Sequence, residues 1–186
     1  MDLTFLVVGA LVVVLAVTAF LAMTYNRLVT LRNRCENAWA QIDVQLKRRY
    51  DLVPNLVATV KGYASHERET LEQVTAARTA AMDATGTSGR TAAENHLTST
   101  LRSLFAVAEA YPDLKANASF LALQGQLVDT EGKIAYARQF FNDAVMTLNM
   151  AIQQVPANLV AGAFGFEERS YFEIEASATD PVTISL

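Results

Sequence analysis

Residues 3–25, LTFLVVGALVVVLAVTAFLAMTY, carry no charged side chain over 23 positions. A helix needs about 20 apolar residues to cross the hydrocarbon core of a bilayer. A core helix of a soluble protein keeps a polar stripe, and this run has none. A cleaved export signal has a basic start, a shorter apolar run and small residues at its cleavage site. Here the start carries Asp2 and no Lys or Arg, and Phe20 and Met23 occupy the cleavage positions. Residues 1–25 therefore read as a retained transmembrane anchor. No basic residue precedes the run, whereas Arg27, Arg32 and Arg34 follow it closely. By the positive-inside rule the N-terminus lies outside and the bulk of the chain is cytoplasmic. Tyr25 is placed as an interfacial girdle residue. Loose small-residue spacing at Thr18 and Ala22, without Gly-x-x-x-Gly, gives only a faint transmembrane dimer seam.

Beyond Tyr25 the apolar residues recur at helical intervals. Leu28, Leu31, Cys35, Ala38, Ile42 and Leu46 share one face of a first helix running to about Leu52. Asp43 and Lys47 form an i,i+4 pair of favourable order. Pro54 suits the first turn of a second helix, predicted over residues 54–83, after a corner at 51–54. The stretch DATGTSGR reads as a loop, and Thr91 with Glu94 fits a capping box opening a third helix that stops at Tyr111 and Pro112. The fourth helix shows a seven-residue repeat of Phe120, Leu127, Ile134, Phe141, Leu148 and Val155. Three residues after most of these stand Thr130, Ala137, Ala144 and Ala151. Large residues beside small ones allow coiled-coil-like interlocking. The expected fold is all-α: a transmembrane helix continuing into an elongated antiparallel four-helix bundle over residues 26–156.

Residues 157–186 form an apolar, then acidic, C-terminal tail without helical periodicity, of which residues 171–186 could be extended. Leu159, Val160, Phe164, Phe166, Tyr171 and Phe172 leave three uses open: packing on the bundle, touching lipid headgroups, or joining subunits. Glu167, Glu168, Glu173, Glu175 and Asp180 outnumber Arg169, which disfavours anionic lipid and suits pairing with the basic first helix.

Four stretches carry a family resemblance: RNRCENAWAQIDVQLKRRYDLVPNLVATVKGYASHE, EAYPDLKAN, ARQFFNDAV and FGFEERSYFE. Together they resemble the LemA family of bacterial membrane proteins, over about residues 25–172. The resemblance implies a transmembrane helix with a small external N-terminus followed by an elongated antiparallel helical bundle in the bacterial cell membrane. It brings no defined activity. Cys35 stands where the family usually has an aliphatic residue, a change that a packed site tolerates.

The search for chemistry is negative. HERET, residues 66–70, opens like a zinc-protease motif, but Thr70 stands where the second histidine is required. His66 and His96 read as surface or capping residues, and Cys35 as a packing residue that cannot form an intramolecular disulfide. There is no phosphate-binding Gly-rich loop, no Gly-x-Ser-x-Gly elbow, and no Glu-x-x-His pair of a di-iron bundle. No cofactor, metal or catalytic residue is expected. The net charge of −4 argues against a nucleic-acid partner.

Polar residues crowd the first two helices. They form either a solvated stripe or a surface for a partner. The candidate interaction surface comprises Trp39, Asp43, Arg48, Arg49 and Tyr63, with Phe164, Phe166, Tyr171 and Phe172 from the tail. Trp39 fits the bundle core equally well. The expected function is a non-catalytic scaffold, anchored in the bilayer by one span, that assembles with itself and presents a helical surface at the cytoplasmic side. The alternative is an accessory subunit of a membrane enzyme or transporter without self-assembly. Either role implies a membrane or cytoplasmic protein partner that the residues do not identify.

Overall fold

A computed structural model of the chain describes residues 3–172. The acidic residues Glu173, Glu175 and Asp180, and most of the stretch expected as extended, lie outside the described residues. Among the described residues the structure is all-α, with six helices: α1 (Leu3–Tyr63), α2 (Arg68–Asp83), α3 (Thr87–Glu109), α4 (Pro112–Lys115), α5 (Ala118–Gln153) and α6 (Ala157–Ala163).

The first part of α1 is long and apolar enough to cross a membrane, and none of its most apolar window is buried within the chain. Leu3, Phe5 and Val12 remain more than half exposed. A core helix of this protein is thereby excluded.

The corner expected at 51–54 is not there. Helix α1 runs through Pro54 to Tyr63, and the chain turns at residues 64–67 instead, with His66 exposed in the turn. An interior proline costs about 3 kcal/mol or more, because it lacks an N–H and leaves the carbonyl four residues back without its helical donor. That carbonyl belongs to Tyr50. It accepts a hydrogen bond from Arg78 Nε of α2 at 2.7 Å. A distant side chain thus replaces the missing donor, which explains why the helix continues. Arg78→Ala should therefore destabilise the protein by about 1–3 kcal/mol. The loss should shrink in a Pro54→Ala background, where a new backbone N–H takes over the Tyr50 carbonyl. A double-mutant cycle in urea measures this coupling.

Helix α3 also begins earlier than its expected capping box. Its N-cap is Gly86, with φ 71°, a left-handed conformation that favours glycine. Thr91 lies inside the helix and donates to the Thr87 carbonyl at 2.9 Å. Glu94 does not cap but is fully buried.

The seven-residue repeat of α5 is buried at Phe120, Leu127, Ile134, Phe141 and Leu148, and so are Thr130, Ala137, Ala144 and Ala151. Val155 breaks the pattern at 80% exposure, because α5 has already ended at Gln153. The tail also departs from expectation, since residues 157–163 are helical. Only Val160 and Ala161 of α6 are buried, too few to give a period. A glycine closes α6: Gly165 has φ 69°, and the Phe166 N–H donates to the Ala161 carbonyl at 2.9 Å, the pattern of a Schellman cap.

The chain divides into two compact units. One contains the residues up to Trp39 and Phe140–Ser170. Its core joins Leu28 of α1, Ala151 of α5, and Val160 and Ala161 of α6. The other contains Ala40–Gln139 with Tyr171 and Phe172. There Val53, Leu56 and Val60 of α1 meet Leu71 and Val74 of α2, Leu97 and Leu104 of α3, and Phe120 and Leu127 of α5. The short link at 84–86 sets α3 packing back along α2, as in an antiparallel helical pair.

Candidate interaction site

The bundle unit holds a buried ionic network. Arg49 and Glu94 have side chains 3% and 0% exposed, and Arg49 Nη1 lies 3.1 Å from Glu94 Oε2. Arg49 also donates to Thr98 Oγ1 at 2.7 Å and pairs with the half-exposed Glu131 at 3.2 Å. The second oxygen of Glu94 accepts from the Tyr50 hydroxyl. Burial first, then the hydrogen bond from the phenol to Glu94, pushes the Tyr50 pKa above its usual value, so the hydroxyl stays a donor. Arg138 stacks over the Phe172 ring at 4.6 Å from its centroid, and burial pushes its guanidinium pKa down while Glu131 and Glu94 oppose the fall. Arg49 thus faces two carboxylates, Glu94 and Glu131. The network is suited to fixing how the helices register.

A different face of the same unit is open. Ala40, Gln41, Val44 and Gln45 of α1 and Asp129, Gly132, Lys133, Tyr136 and Ala137 of α5 line a groove of about 700 Å³. Ala40, Gly132 and Ala137 are the small residues of its lining. Val44 is 63% exposed and Tyr136 71% exposed. Nothing lies within 4 Å of a side-chain carbon built on Gly132. Gln45 Oε1 is buried at the groove without a hydrogen-bond partner among the described residues. Lys133 pairs with Asp129 at 2.8 Å, and this hydrogen bond holds the carboxyl below its usual range.

In the other unit, aromatic residues gather where α1 leaves its apolar run. The Tyr25 ring meets Phe164 at 5.0 Å and Phe166 at 5.7 Å, both edge to face. Arg32 lies over the Phe166 ring at 5.4 Å. A side-chain clamp holds the segment that follows: Asn149 accepts from the Arg169 N–H and donates to the Arg169 carbonyl, each at 2.9 Å. Arg169 also binds Glu36 at 3.0 Å. Cys35 is buried, and that burial pushes its thiol pKa up, away from the reactive thiolate.

The structure scatters the candidate surface read from the sequence. Arg49 and Phe172 are interior residues, at 2% and 1% exposure: Arg49 is paired with Glu94, and Phe172 lies beneath the Arg138 guanidinium. Trp39 is half-buried against Phe141 at 5.2 Å. Asp43 binds Arg90 of α3, a partner other than the expected Lys47. Arg48 is exposed, 4.0 Å from Asp129. Tyr63 is exposed and accepts from Asn117 Nδ2 at 2.9 Å. Phe164 and Tyr171 are exposed, and Phe166 is half-buried. The groove residues Val44, Gly132 and Tyr136 were not among those expected. Their signal was present as apolar or small residues off the buried face of each helix.

Magnetosome protein MamQ 2 of Paramagnetospirillum magneticum is 26% identical over 198 aligned positions, covering 91% of this chain and 73% of its own. MamQ of Magnetospirillum gryphiswaldense is 25% identical with the same coverage. The sequence model of the LemA family matches residues 38–186, from the bundle helices to the C-terminus. The match covers most of the chain and bears out the resemblance carried by its motifs: this protein belongs to the LemA family.

Proposed function

We propose that this membrane-associated helical protein is a non-catalytic scaffold that assembles with itself through the groove between α1 and α5. The observation that carries the reading is the groove itself, with Val44 and Tyr136 exposed in a lining that includes Ala40, Gly132 and Ala137. Exposed apolar grooves on helical faces mark protein contact sites. Asp129 and Lys133 offer both signs of charge on one rim, so two copies related by a two-fold axis can exchange partners across the interface. The apolar start of α1 is the anchor. The basic residues that follow it favour a cytoplasmic bundle.

Gly132→Leu separates folding from assembly. The position is open, and replacing an exposed helical glycine by leucine should raise protomer stability by about 0.5–1 kcal/mol. The same change fills the groove. The full-length protein in detergent should be larger than a monomer by sizing with light scattering, and Gly132→Leu should shift it to monomer with its helix content intact. A wild-type chain that stays monomeric at every concentration would overturn self-assembly. An unchanged oligomer in Gly132→Leu would remove the groove from the interface. In-cell crosslinking that yields one heteropartner at fixed stoichiometry would favour an accessory subunit. Protease added outside intact cells should spare the bundle if it is cytoplasmic.

A further inference from the structure

We propose that α6 and the Phe164–Phe166 turn form a second membrane contact: a foot that lies in the headgroup layer of the bilayer holding the N-terminal span. The inference rests on the reading of that span as membrane-embedded. Three observations carry it.

The first is depth. Tyr25 closes the apolar run, and the rings of Phe164 and Phe166 touch it. Helix α6 buries Val160 and Ala161 against Leu28, one turn beyond Tyr25. Arg32, whose guanidinium lies over Phe166, is seven residues past Tyr25, or about 10 Å along the helix. The foot therefore spans the layer where the hydrocarbon ends and headgroups begin.

The second is chemistry. Residues 155–166 contain no charged side chain. Val155 is 80% exposed, Leu159 71% and Phe164 61%. Aromatic and aliphatic side chains at this depth, with Tyr25 and arginines beside them, have the composition of an interfacial belt.

The third is rigidity. The Schellman cap at Gly165 and the Asn149 clamp on Arg169 hold the segment at both ends of the turn. Leu159 and Phe164 are therefore displayed by a structured element. Because Glu167 and Glu168 offset Arg27 and Arg32 around the patch, insertion should depend on apolar burial, with little dependence on anionic lipid.

The test places single tryptophans in the full chain, in a Trp39→Phe background, reconstituted in phosphatidylcholine vesicles brominated at shallow or deep acyl positions. Val12→Trp reports the span, and Leu159→Trp and Phe164→Trp report the foot. Deep bromines should quench the span reporter. Shallow bromines should quench both foot reporters several-fold more than deep ones do, and added phosphatidylglycerol should leave this unchanged. A quenched span with unquenched foot reporters would overturn the foot and leave the anchor standing. Blue-shifted but unquenched foot reporters would also overturn it, since a protein surface would then cover the patch. An unquenched span would overturn both readings. Photoactivatable phosphatidylcholine with the unmodified chain gives the independent check. Adducts should appear on residues 155–166 as well as on the span, and adducts confined to the span would refute the foot.

Discussion

Arg49→Ala is expected to lower the unfolding free energy by about 3–5 kcal/mol, the usual loss when one member of a buried ion pair is removed. The guanidinium is the only group that meets Glu94, Glu131 and Thr98 together among the described residues. Without it, the buried Glu94 carboxylate keeps the Tyr50 hydroxyl but loses its counter-charge. Domains of this kind are stable by only about 5–15 kcal/mol, so the loss is a large share of the total. Glu94→Gln should cost less, about 1–3 kcal/mol, because Arg49 retains Glu131 and Thr98. Replacing the group together, by Arg49→Met, Glu94→Leu and Tyr50→Phe, should restore stability to near that of the wild type. Apolar residues of similar volume often substitute for a buried pair without loss. Urea unfolding followed by far-ultraviolet circular dichroism measures all three. If Arg49→Ala cost no more than a surface substitution, the network would not be the buried pair described here.

Phe141→Ala should cost about 3–5 kcal/mol, and Val155→Ala should cost nothing measurable. Both residues occupy the same position of the seven-residue repeat. Phe141 is 3% exposed and meets Trp39 edge to face, so truncation opens a cavity that its neighbours cannot fill. Val155 is 80% exposed and lies beyond the end of α5. Equal losses at the two sites would mean that the repeat continues to Val155. The same denaturation measurement distinguishes the outcomes.

The contrast between Phe141 and Val155 shows how far a periodic pattern reaches. Burial along α5 was legible because each residue of a helix falls on a face set by its own spacing. The end of that burial was not legible, because it depends on where the neighbouring element stops. Interaction residues were harder still. Polar crowding and apolar composition placed Arg49 and Phe172 among the surface candidates, yet Arg49 is buried beside Glu94 of α3 and Phe172 beneath Arg138 of α5. The groove went unnoticed because its residues look like ordinary solvent-facing positions until two helices bring Val44 and Tyr136 to one cleft.

What the amino-acid sequence determined by itself was whatever rests on local chemistry. The uncharged run of residues 3–25 dictates a helix too apolar for water, and spacing dictates an all-α fold with Ile134 and Phe141 inward. Tertiary structure alone decided the features in which a polar group finds a distant partner. Pro54 ends no helix because Arg78 supplies the donor that the Tyr50 carbonyl lacks. Glu94 caps no helix because Arg49 and Tyr50 hold its carboxylate inside the bundle. Part of the roughly 3 kcal/mol cost of an interior proline is the carbonyl it leaves without a donor, which a distant side chain recovers, and a capping preference is worth about 1 kcal/mol. An unsatisfied buried group costs more than that, so long-range satisfaction overrides the local signal wherever the two compete.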